Sequence, residues 1–138
     1  MLIIGANVSF SKDQLLGSVK EALKYKANTF MFYTGAPQNT FRKELDTSLI
    51  EQANTLMQAN NIDINNVICH APYIVNPATN DAIKSEFAVS FLKEEIHRCS
   101  VLGVTKMVLH PGSAVGQTRQ EGLDNIVKVL DALLDNPY

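Results

Sequence analysis

Short apolar runs alternate with longer segments of helical periodicity four times along this chain. Each apolar run has the length and the β-branched or aromatic content of a buried strand, and each longer segment repeats apolar residues three or four positions apart. We predict strands at residues 2–6, 29–34, 67–70 and 107–110, each followed by a helix. This order requires parallel strands joined by right-handed crossovers, and it therefore predicts an α/β fold.

Two folds satisfy that order, an open doubly wound sheet and a (β/α)8 barrel. The four units of this 138-residue chain average roughly 34 residues, close to the roughly 31 per unit of a barrel of about 250 residues. A flavodoxin-like sheet is the alternative, but the first turn, Asn7-Val8-Ser9, has neither a phosphate-binding glycine cluster nor an acidic pocket. We expect one domain over residues 1–138, a (β/α)4 half-barrel, and interpret residues 135–138 as a truncation before a fifth strand.

The helix boundaries are predicted from capping signals. The long third helix begins near Asp81, and Gly103 stands where a glycine closes it. Capping boxes place two side chains on free N–H groups at a helix start. Three pairs have this spacing: Ser11 with Gln14, Ser48 with Glu51, and Thr118 with Glu121.

The composition is that of a globular domain, with 46% hydrophobic residues and a net charge of −2. This charge argues against a general nucleic-acid coat but permits a DNA enzyme with local or metal-supplied positive charge. Cys69 and Cys99 form no C-x-x-C pair, so we predict buried thiols rather than a disulfide framework or zinc finger. Without a signal-like start or a long apolar run, we expect a cytoplasmic protein with no membrane partner.

Candidate metal ligands are found among three histidines, His70, His97 and His110. His70 and His110 each end a predicted strand, and the carboxyl ends of parallel strands are where functional groups gather. Neighbouring strands lie about 4.8 Å apart and two nitrogens on one zinc roughly 3.4 Å apart, so the two rings can lean together. Metal ligation and ordinary rim polarity both remain open, since a catalytic zinc usually takes three protein ligands. His97 lies within a helix and is predicted to be solvated.

Acidic residues fall mainly on predicted helices, and we interpret them as solvated charges rather than general bases. They are Glu21, Glu51, Glu86, Glu94, Glu95, Glu121, Asp124 and Asp131. Backbone N–H groups at Gly112 and Ser113 could hold a phosphate before the fourth helix, with a tight turn as the alternative. Other loop residues at the same end would suit a sugar-phosphate backbone: Asn7, Ser9, Gln38, Asn39, Arg42, Lys43, Tyr73 and Asn76.

Four ordered segments together resemble the endonuclease IV family of apurinic/apyrimidinic DNA repair enzymes. They are Gly5-Ala6-Asn7-Val8-Ser9, Tyr33-Thr34-Gly35-Ala36-Pro37-Gln38-Asn39-Thr40, His70-Ala71-Pro72-Tyr73-Ile74-Val75-Asn76 and His110-Pro111-Gly112-Ser113. The resemblance implies the N-terminal half of a xylose-isomerase-like (β/α)8 barrel of roughly twice this length. It also implies hydrolysis of the phosphodiester 5′ to an abasic nucleotide in double-stranded DNA, at a trinuclear zinc site.

By this resemblance, His70 and His110 bind one zinc of that site. The carboxylate that bridges this metal and nearly all ligands of the other two belong to the second half of the barrel. Clustered zinc activates water and neutralises the phosphate, so no catalytic residue beyond the metal ligands is expected. Because two histidines cannot assemble three metal sites, we expect the 138-residue chain alone to be inactive.

The same resemblance assigns DNA contacts to loop residues. Tyr73 matches a residue that enters the DNA at the lesion, and Gln38 falls where some members insert an arginine. Asn7 stands where the family motif has a histidine. Ser9 and Ser113 complete the expected DNA-binding set.

Two alternatives to the endonuclease remain. A sugar isomerase or epimerase would use the same barrel and strand-end metal ligands. A non-catalytic, self-associating half-barrel is the alternative from a different class. Open edges on the first and fourth strands predict that the chain pairs with itself, whereas full-length family members are expected to be monomeric.

Overall fold

The structure is a computed structural model that describes residues 1–134. The strands are β1 (Gly5–Asn7), β2 (Thr29–Phe32), β3 (Ile68–His70) and β4 (Met107–Val108). The helices are α1 (Gln14–Lys24), α2 (Thr47–Ala59), α3 (Ala82–Val101) and α4 (Arg119–Leu134), and a 3-10 turn (Ile64–Asn66) precedes β3. The predicted truncation at residues 135–138 lies outside the described residues. Within residues 1–134, no helix is long and apolar enough to cross a membrane.

The four strands are parallel, and each pairs with the strand that follows it in the chain, in the order β1-β2-β3-β4. A flavodoxin-like sheet places its second strand outside the first and then reverses direction. The sequential order therefore rules out that alternative. Consecutive parallel strands, each followed by a helix, form half of a (β/α)8 barrel, so the predicted fold class is confirmed.

Side-chain alternation gives the sheet two different faces. Phe30, Phe32 and Cys69 are buried on the face that the helices cover. On the other face, Asn7 and Val108 are exposed and His70 is half-buried. This second face corresponds to the interior of a complete barrel, and within residues 1–134 no helix covers it.

β1 differs from its prediction in both length and burial. It begins at Gly5 rather than Leu2, and the preceding residues 2–4 are exposed rather than buried on both faces. The Asn28 side chain replaces the strand ladder there, because its Oδ1 accepts the Ile4 N–H at 2.7 Å and its Nδ2 donates to the Leu2 carbonyl at 2.9 Å. β4 is likewise shorter than predicted and ends at Val108.

The predicted capping signals have mixed outcomes. The box at α4 is confirmed, since the Thr118 N–H donates to the Glu121 carboxylate at 2.8 Å and the Glu121 N–H donates to Thr118 Oγ1 at 3.2 Å. The glycine cap of α3 is also confirmed, with Gly103 at φ +77°. Only a residue that tolerates the left-handed region closes a helix in this way.

The boxes predicted at α1 and α2 are wrong. α2 is capped by Asp46, whose carboxylate accepts the N–H groups of Ser48 and Leu49. At the start of α1, Gln14 has a left-handed backbone with φ 46°. Its side chain donates to the Glu44 carbonyl and accepts the Asp46 N–H, which ties α1 to the segment before α2.

Candidate functional site

The predicted site residues meet at the edge where all four strands end. Four loops leave this edge, at residues 8–13, 33–46, 71–81 and 109–118. Parallel pairing brings these loops together although they are separated in sequence. Asn7 is the last residue of β1 and His70 is the last residue of β3, while the other predicted contacts lie in the loops.

His70 has the geometry of a metal ligand whose orientation is already fixed. Its Nδ1 lies 2.6 Å from the Ala71 carbonyl oxygen, and its ring packs against Tyr33 with centroids 4.9 Å apart. Because a carbonyl only accepts, Nδ1 carries the proton and the Nε2 lone pair of the neutral ring is available. Metal-binding histidines are held in the same way, with the second nitrogen donating to a carbonyl or carboxylate.

His110 is placed differently, which corrects the prediction that the two histidines occupy equivalent positions. His70 pairs with Val108, so His110 lies two residues farther along the chain, beyond the end of β4. The Gly112 N–H donates to His110 Nδ1 at 3.2 Å, so Nε2 carries the proton of the neutral ring. His110 must give up this bond or rotate its ring before it can bind a metal through Nε2.

The described residues do not form a complete metal site. Within residues 1–134, no three His, Cys, Asp or Glu side chains are grouped closely enough to hold an ion. His97 is exposed on α3, as predicted, and lies apart from the strand ends. His70 and His110 could therefore provide one or two ligands of a zinc ion, but not a complete coordination shell.

An aromatic row extends from His70 across the site. Tyr33 contacts His70 on one side and packs edge-on against Tyr73 on the other, with the two tyrosine centroids 6.4 Å apart. Tyr73 is 54% exposed, and its role in DNA binding stays a prediction. Sequence analysis did not assign Tyr33 to the site, although the alternation of Thr29 and Met31 along β2 places it on the same face as His70.

Asn76 joins two loops rather than facing solvent as a free DNA contact. Its Nδ2 donates to the Ser113 carbonyl at 2.8 Å, and its Oδ1 accepts the Ser113 N–H at 2.9 Å and the Ala78 N–H at 3.1 Å. The N–H groups of Gly112 and Ser113 are thus both occupied, and α4 begins only at Arg119. The tight turn, rather than a phosphate cradle of backbone N–H groups, describes this segment, and DNA contact by the Ser113 hydroxyl stays a prediction.

Glu95 corrects the prediction that the acidic residues of the helices are solvated. Its side chain is fully buried, accepts Arg42 Nε at 2.6 Å and accepts the hydroxyl of Thr34. A signal was present in the sequence, because Glu95 lies four residues from both Phe91 and Cys99, on the buried stripe of α3.

The loop at residues 33–46 is built around two buried arginines. Arg42 Nη1 donates to three carbonyls, and the shortest of these bonds is 2.7 Å, to Phe41. Arg98 of α3 donates to the carbonyls of Thr34 and Lys43, near the two ends of the loop. The prediction that Arg42 contacts a sugar-phosphate backbone is therefore wrong, because its side chain is used inside the loop. Gln38 lies on the exposed outer part of the same loop.

The buried thiols lie behind the site. Cys69 and Cys99 are both buried and reduced, as predicted. Their hydrogen bond and the burial of Cys69 raise the pKa of the Cys69 thiol well above its ordinary value. Cys69 faces the helices while His70 faces the opposite side of the sheet, so this thiol has a packing role.

Ser9 is fixed by two side chains of α1. Its N–H donates to Glu21 Oε2 at 2.9 Å, and its carbonyl accepts the Ser18 hydroxyl at 2.6 Å. The bond from the Ser9 backbone lowers the pKa of the Glu21 carboxyl below its ordinary value. The Ser9 backbone is thus positioned by α1, and contact of Ser9 with DNA stays a prediction.

Comparison with known proteins gives consistent matches over nearly the whole chain. A family model described as xylose isomerase-like TIM barrel matches residues 19–136. The curated protein "Probable endonuclease 4" of Acholeplasma laidlawii is 50% identical over 137 residues, which are 99% of this chain and 47% of that protein. The chain thus spans about half the length of the curated relatives it matches.

Solved structures share the fold. Endonuclease IV from Thermus thermophilus superposes with a TM-score of 0.72 at 22% identity, covering 94% of this chain and 47% of that one. A D-tagatose 3-epimerase-like protein superposes with a TM-score of 0.63 at 17% identity, covering 96% and 48%. Both match half of a longer barrel, and these identities bear on the fold alone.

Replacing Glu95 by Gln should lower the free energy of unfolding by about 3–5 kcal/mol, because it leaves buried arginines without a compensating carboxylate. Urea unfolding would measure the change. The matched control is Glu94→Gln at the adjacent exposed position, which should stay within about 0.5 kcal/mol of the parent chain. Equal unfolding midpoints for the two variants would contradict the structural role of Glu95.

The Ser9 amide proton resonance should titrate with a midpoint below 4.5, the ordinary pKa of a glutamate. Because the Glu21 pKa is lowered in the folded state, the hydrogen bond from the Ser9 N–H to the carboxylate is fully present above pH 4.5. It is lost as the pH falls through the lowered pKa. NMR spectra collected from pH 7 downward would show it. Glu21→Gln should remove the inflection at Ser9 but leave that of the Thr118 amide, which reports the lowered pKa of Glu121; a Ser9 inflection that persists in Glu21→Gln would refute the assignment.

Proposed function

The chain belongs to the xylose isomerase-like TIM barrel family, and we propose that it forms half of a DNA repair endonuclease that hydrolyses the phosphodiester 5′ to an abasic nucleotide. The observation that carries this proposal is the 50% identity, over nearly the whole chain, to a protein named probable endonuclease 4. The positions of His70 at the end of β3 and of His110 in the loop after β4 support it, because that edge is where a barrel enzyme assembles its active site.

A zinc-dependent mechanism is proposed for the complete enzyme, with a trinuclear site of which this chain holds a part. Bound zinc would supply an activated water and neutralise charge on the phosphate. In this chain, His70 would bind through Nε2 while the Ala71 carbonyl and the Tyr33 ring hold its imidazole in place. His110 would be the second ligand after release of the Gly112 N–H.

Ligand counting limits what the 138-residue chain can do alone. Two histidines do not complete even one catalytic zinc, which usually takes three protein ligands. The remaining ligands would come from a second half of the barrel, consistent with the 47% coverage of the curated relative. We therefore propose that this chain alone does not cleave abasic DNA at the rate of a complete enzyme.

The DNA-binding surface would be the loop edge around the histidines. Tyr73 presents an exposed ring, Gln38 lies on the exposed part of its loop, and Asn7 ends β1 beside them. Ser9 and Ser113 are exposed at the same edge. Local hydrogen-bond donors and bound metal, rather than the net charge of −2, would attract the phosphates. With DNA as the substrate, the proposed location is the cytoplasm.

A sugar epimerase is the second candidate, and it is less well supported. The D-tagatose 3-epimerase-like structure shares the barrel, but at 17% identity the likeness extends only to the fold. Activity depends on the residues that a barrel presents at its edge rather than on the barrel itself. The curated match at 50% identity favours the endonuclease.

We also propose that the 138-residue chain associates with itself. Within the described residues, β1 and β4 each have one neighbouring strand, and the face that carries Val108 is not covered by a helix. Two copies related by a two-fold axis along the barrel would pair β4 of each with β1 of the other and close eight strands. A complete enzyme carries both halves in one chain and would be monomeric.

In a protein that carries both halves of the barrel, His70→Ala and His110→Ala should each lower zinc content and cleavage of abasic DNA, by about 10-fold or more. Tyr73→Ala should weaken abasic-DNA binding without loss of zinc. His97→Ala is the matched control and should alter neither quantity, because His97 is exposed on α3. Metal analysis together with a nicking assay distinguishes the roles, and equal zinc loss in the His70, His110 and Tyr73 variants would refute them.

Light scattering of the purified 138-residue chain at micromolar concentration should give a mass of at least two chains. The apolar surface of the uncovered sheet face and the unpaired edges of β1 and β4 favour association over a stable monomer. Val108→Lys places a charge on the uncovered face and should shift the equilibrium toward the monomer, whereas Val101→Lys, exposed at the end of α3, should not. A monodisperse monomer that unfolds cooperatively would overturn the proposal.

A further inference from the structure

A cavity of about 330 Å³ lies between the loop at residues 8–13, the loop at residues 33–46 and α3. It adjoins the loop that carries Gln38, but Arg98 of α3 rather than His70 or His110 contributes to its wall. Its polar and charged lining includes Ser11, Lys12, Asn39, Lys43 and Arg98, and Phe10 and Phe41 provide apolar surface.

Arg98 is only 5% exposed, and one of its donors is without an acceptor in the described structure. Nη1 donates to the Lys43 carbonyl and Nη2 to the Thr34 carbonyl. Nε has no hydrogen-bond partner among residues 1–134, and the same holds for Arg42 Nη2 in the adjoining cluster. Buried polar atoms are nearly always hydrogen-bonded, so the protein compensates these two guanidinium groups incompletely, although neither unpartnered atom is accessible from the cavity.

The charge of the cluster points the same way. Glu95 is the carboxylate that Arg42 binds, and Arg98 adds a second buried guanidinium beside this pair. The three groups together carry one excess positive charge away from water, which is costly without a counter-charge. Burial lowers the pKa of Arg98, while the Glu95 carboxylate opposes this effect and Arg42 adds to it.

We propose that this cavity is a binding site for the phosphate group of a phosphate ester. Within the described part of the chain, the cavity is lined by three basic residues and no acidic one. Arg98 would contribute its positive charge, with the Ser11 hydroxyl, the Asn39 amide and the two lysine ammonium groups as hydrogen-bond donors to the phosphate oxygens. Three positive charges suit the two charges of a phosphate better than the single charge of a carboxylate. The rings of Phe10 and Phe41 offer apolar surface to the organic part of the ester.

The site would also act on the loop that encloses it. Thr34 and Lys43, which accept from Arg98 near the two ends of the loop, both line the cavity. A phosphate bound there would bridge Arg98 to the loops on either side and hold the segment that carries Gln38. This part of the inference does not depend on endonuclease activity, because the cavity is formed by the described residues alone.

The test follows the backbone amide resonances of Ser11 and Asn39 in ¹⁵N-labelled chain during titration with inorganic phosphate, with chloride holding the ionic strength constant. We expect a saturable shift with a Kd of about 1 mM or tighter. Lys12→Ala and Lys43→Ala should each weaken binding by about threefold. Lys84→Ala, on α3 but outside the cavity, is the matched control and should leave the Kd unchanged.

Competition identifies the source of the phosphate. An undamaged DNA duplex that displaces inorganic phosphate would assign the site to the DNA backbone, and a phosphorylated sugar that displaces it when the duplex does not would assign it to a free ester. Arg98→Gln removes one of the three positive charges that line the cavity and should weaken phosphate binding more than either lysine variant does. Because that variant can unfold, the lysine variants decide the matter: a shift that does not saturate, or a Kd that neither Lys12→Ala nor Lys43→Ala changes, would overturn the proposal.

Discussion

Every strand of the sheet runs in the same direction and pairs with the strand that follows it in sequence. This pairing places all four carboxyl ends at one edge, so side chains separated by tens of residues meet there. It also divides the sheet into a face covered by helices and a face without them. The position of the candidate site and the exposure of β1 are consequences of this one arrangement, and the proposed self-association rests on it.

The loop that follows β2 depends on a second interaction, the buried ion pair between Arg42 and Glu95. A loop of this length has few bonds of its own to define its shape, and here guanidinium groups satisfy its carbonyls from inside. The same device creates an excess of positive charge next to a cavity. Arg98 would therefore serve both the structural cluster and the proposed phosphate site, because it donates to two loop carbonyls and also lines the cavity.

The two histidines proposed as metal ligands show how strongly hydrogen bonding decides the chemistry of a histidine. His70 and His110 look alike in sequence, each at the end of an apolar run and before a loop with proline. In the structure, one ring donates to a carbonyl through Nδ1 and the other accepts from a backbone N–H through the same atom. Only the first leaves Nε2 ready to bind a metal, so the two proposed ligands start from different states.

The sequence by itself determined the alternation of strands and helices, the helix-facing core, the buried cysteines and the segments that carry the site, because periodicity and turn residues are local properties. The tertiary structure decided the strand order, the length of β1, the caps of α1 and α2, the burial of Glu95 and the joining role of Asn76. Except for the cap of α2, which Asp46 supplies locally, each of these depends on a partner distant in the chain, such as Asn28 for Ile4 or Arg42 for Glu95. Local pattern reports which side chains are apolar or polar, whereas the partner that satisfies a polar atom is fixed only when the chain is folded.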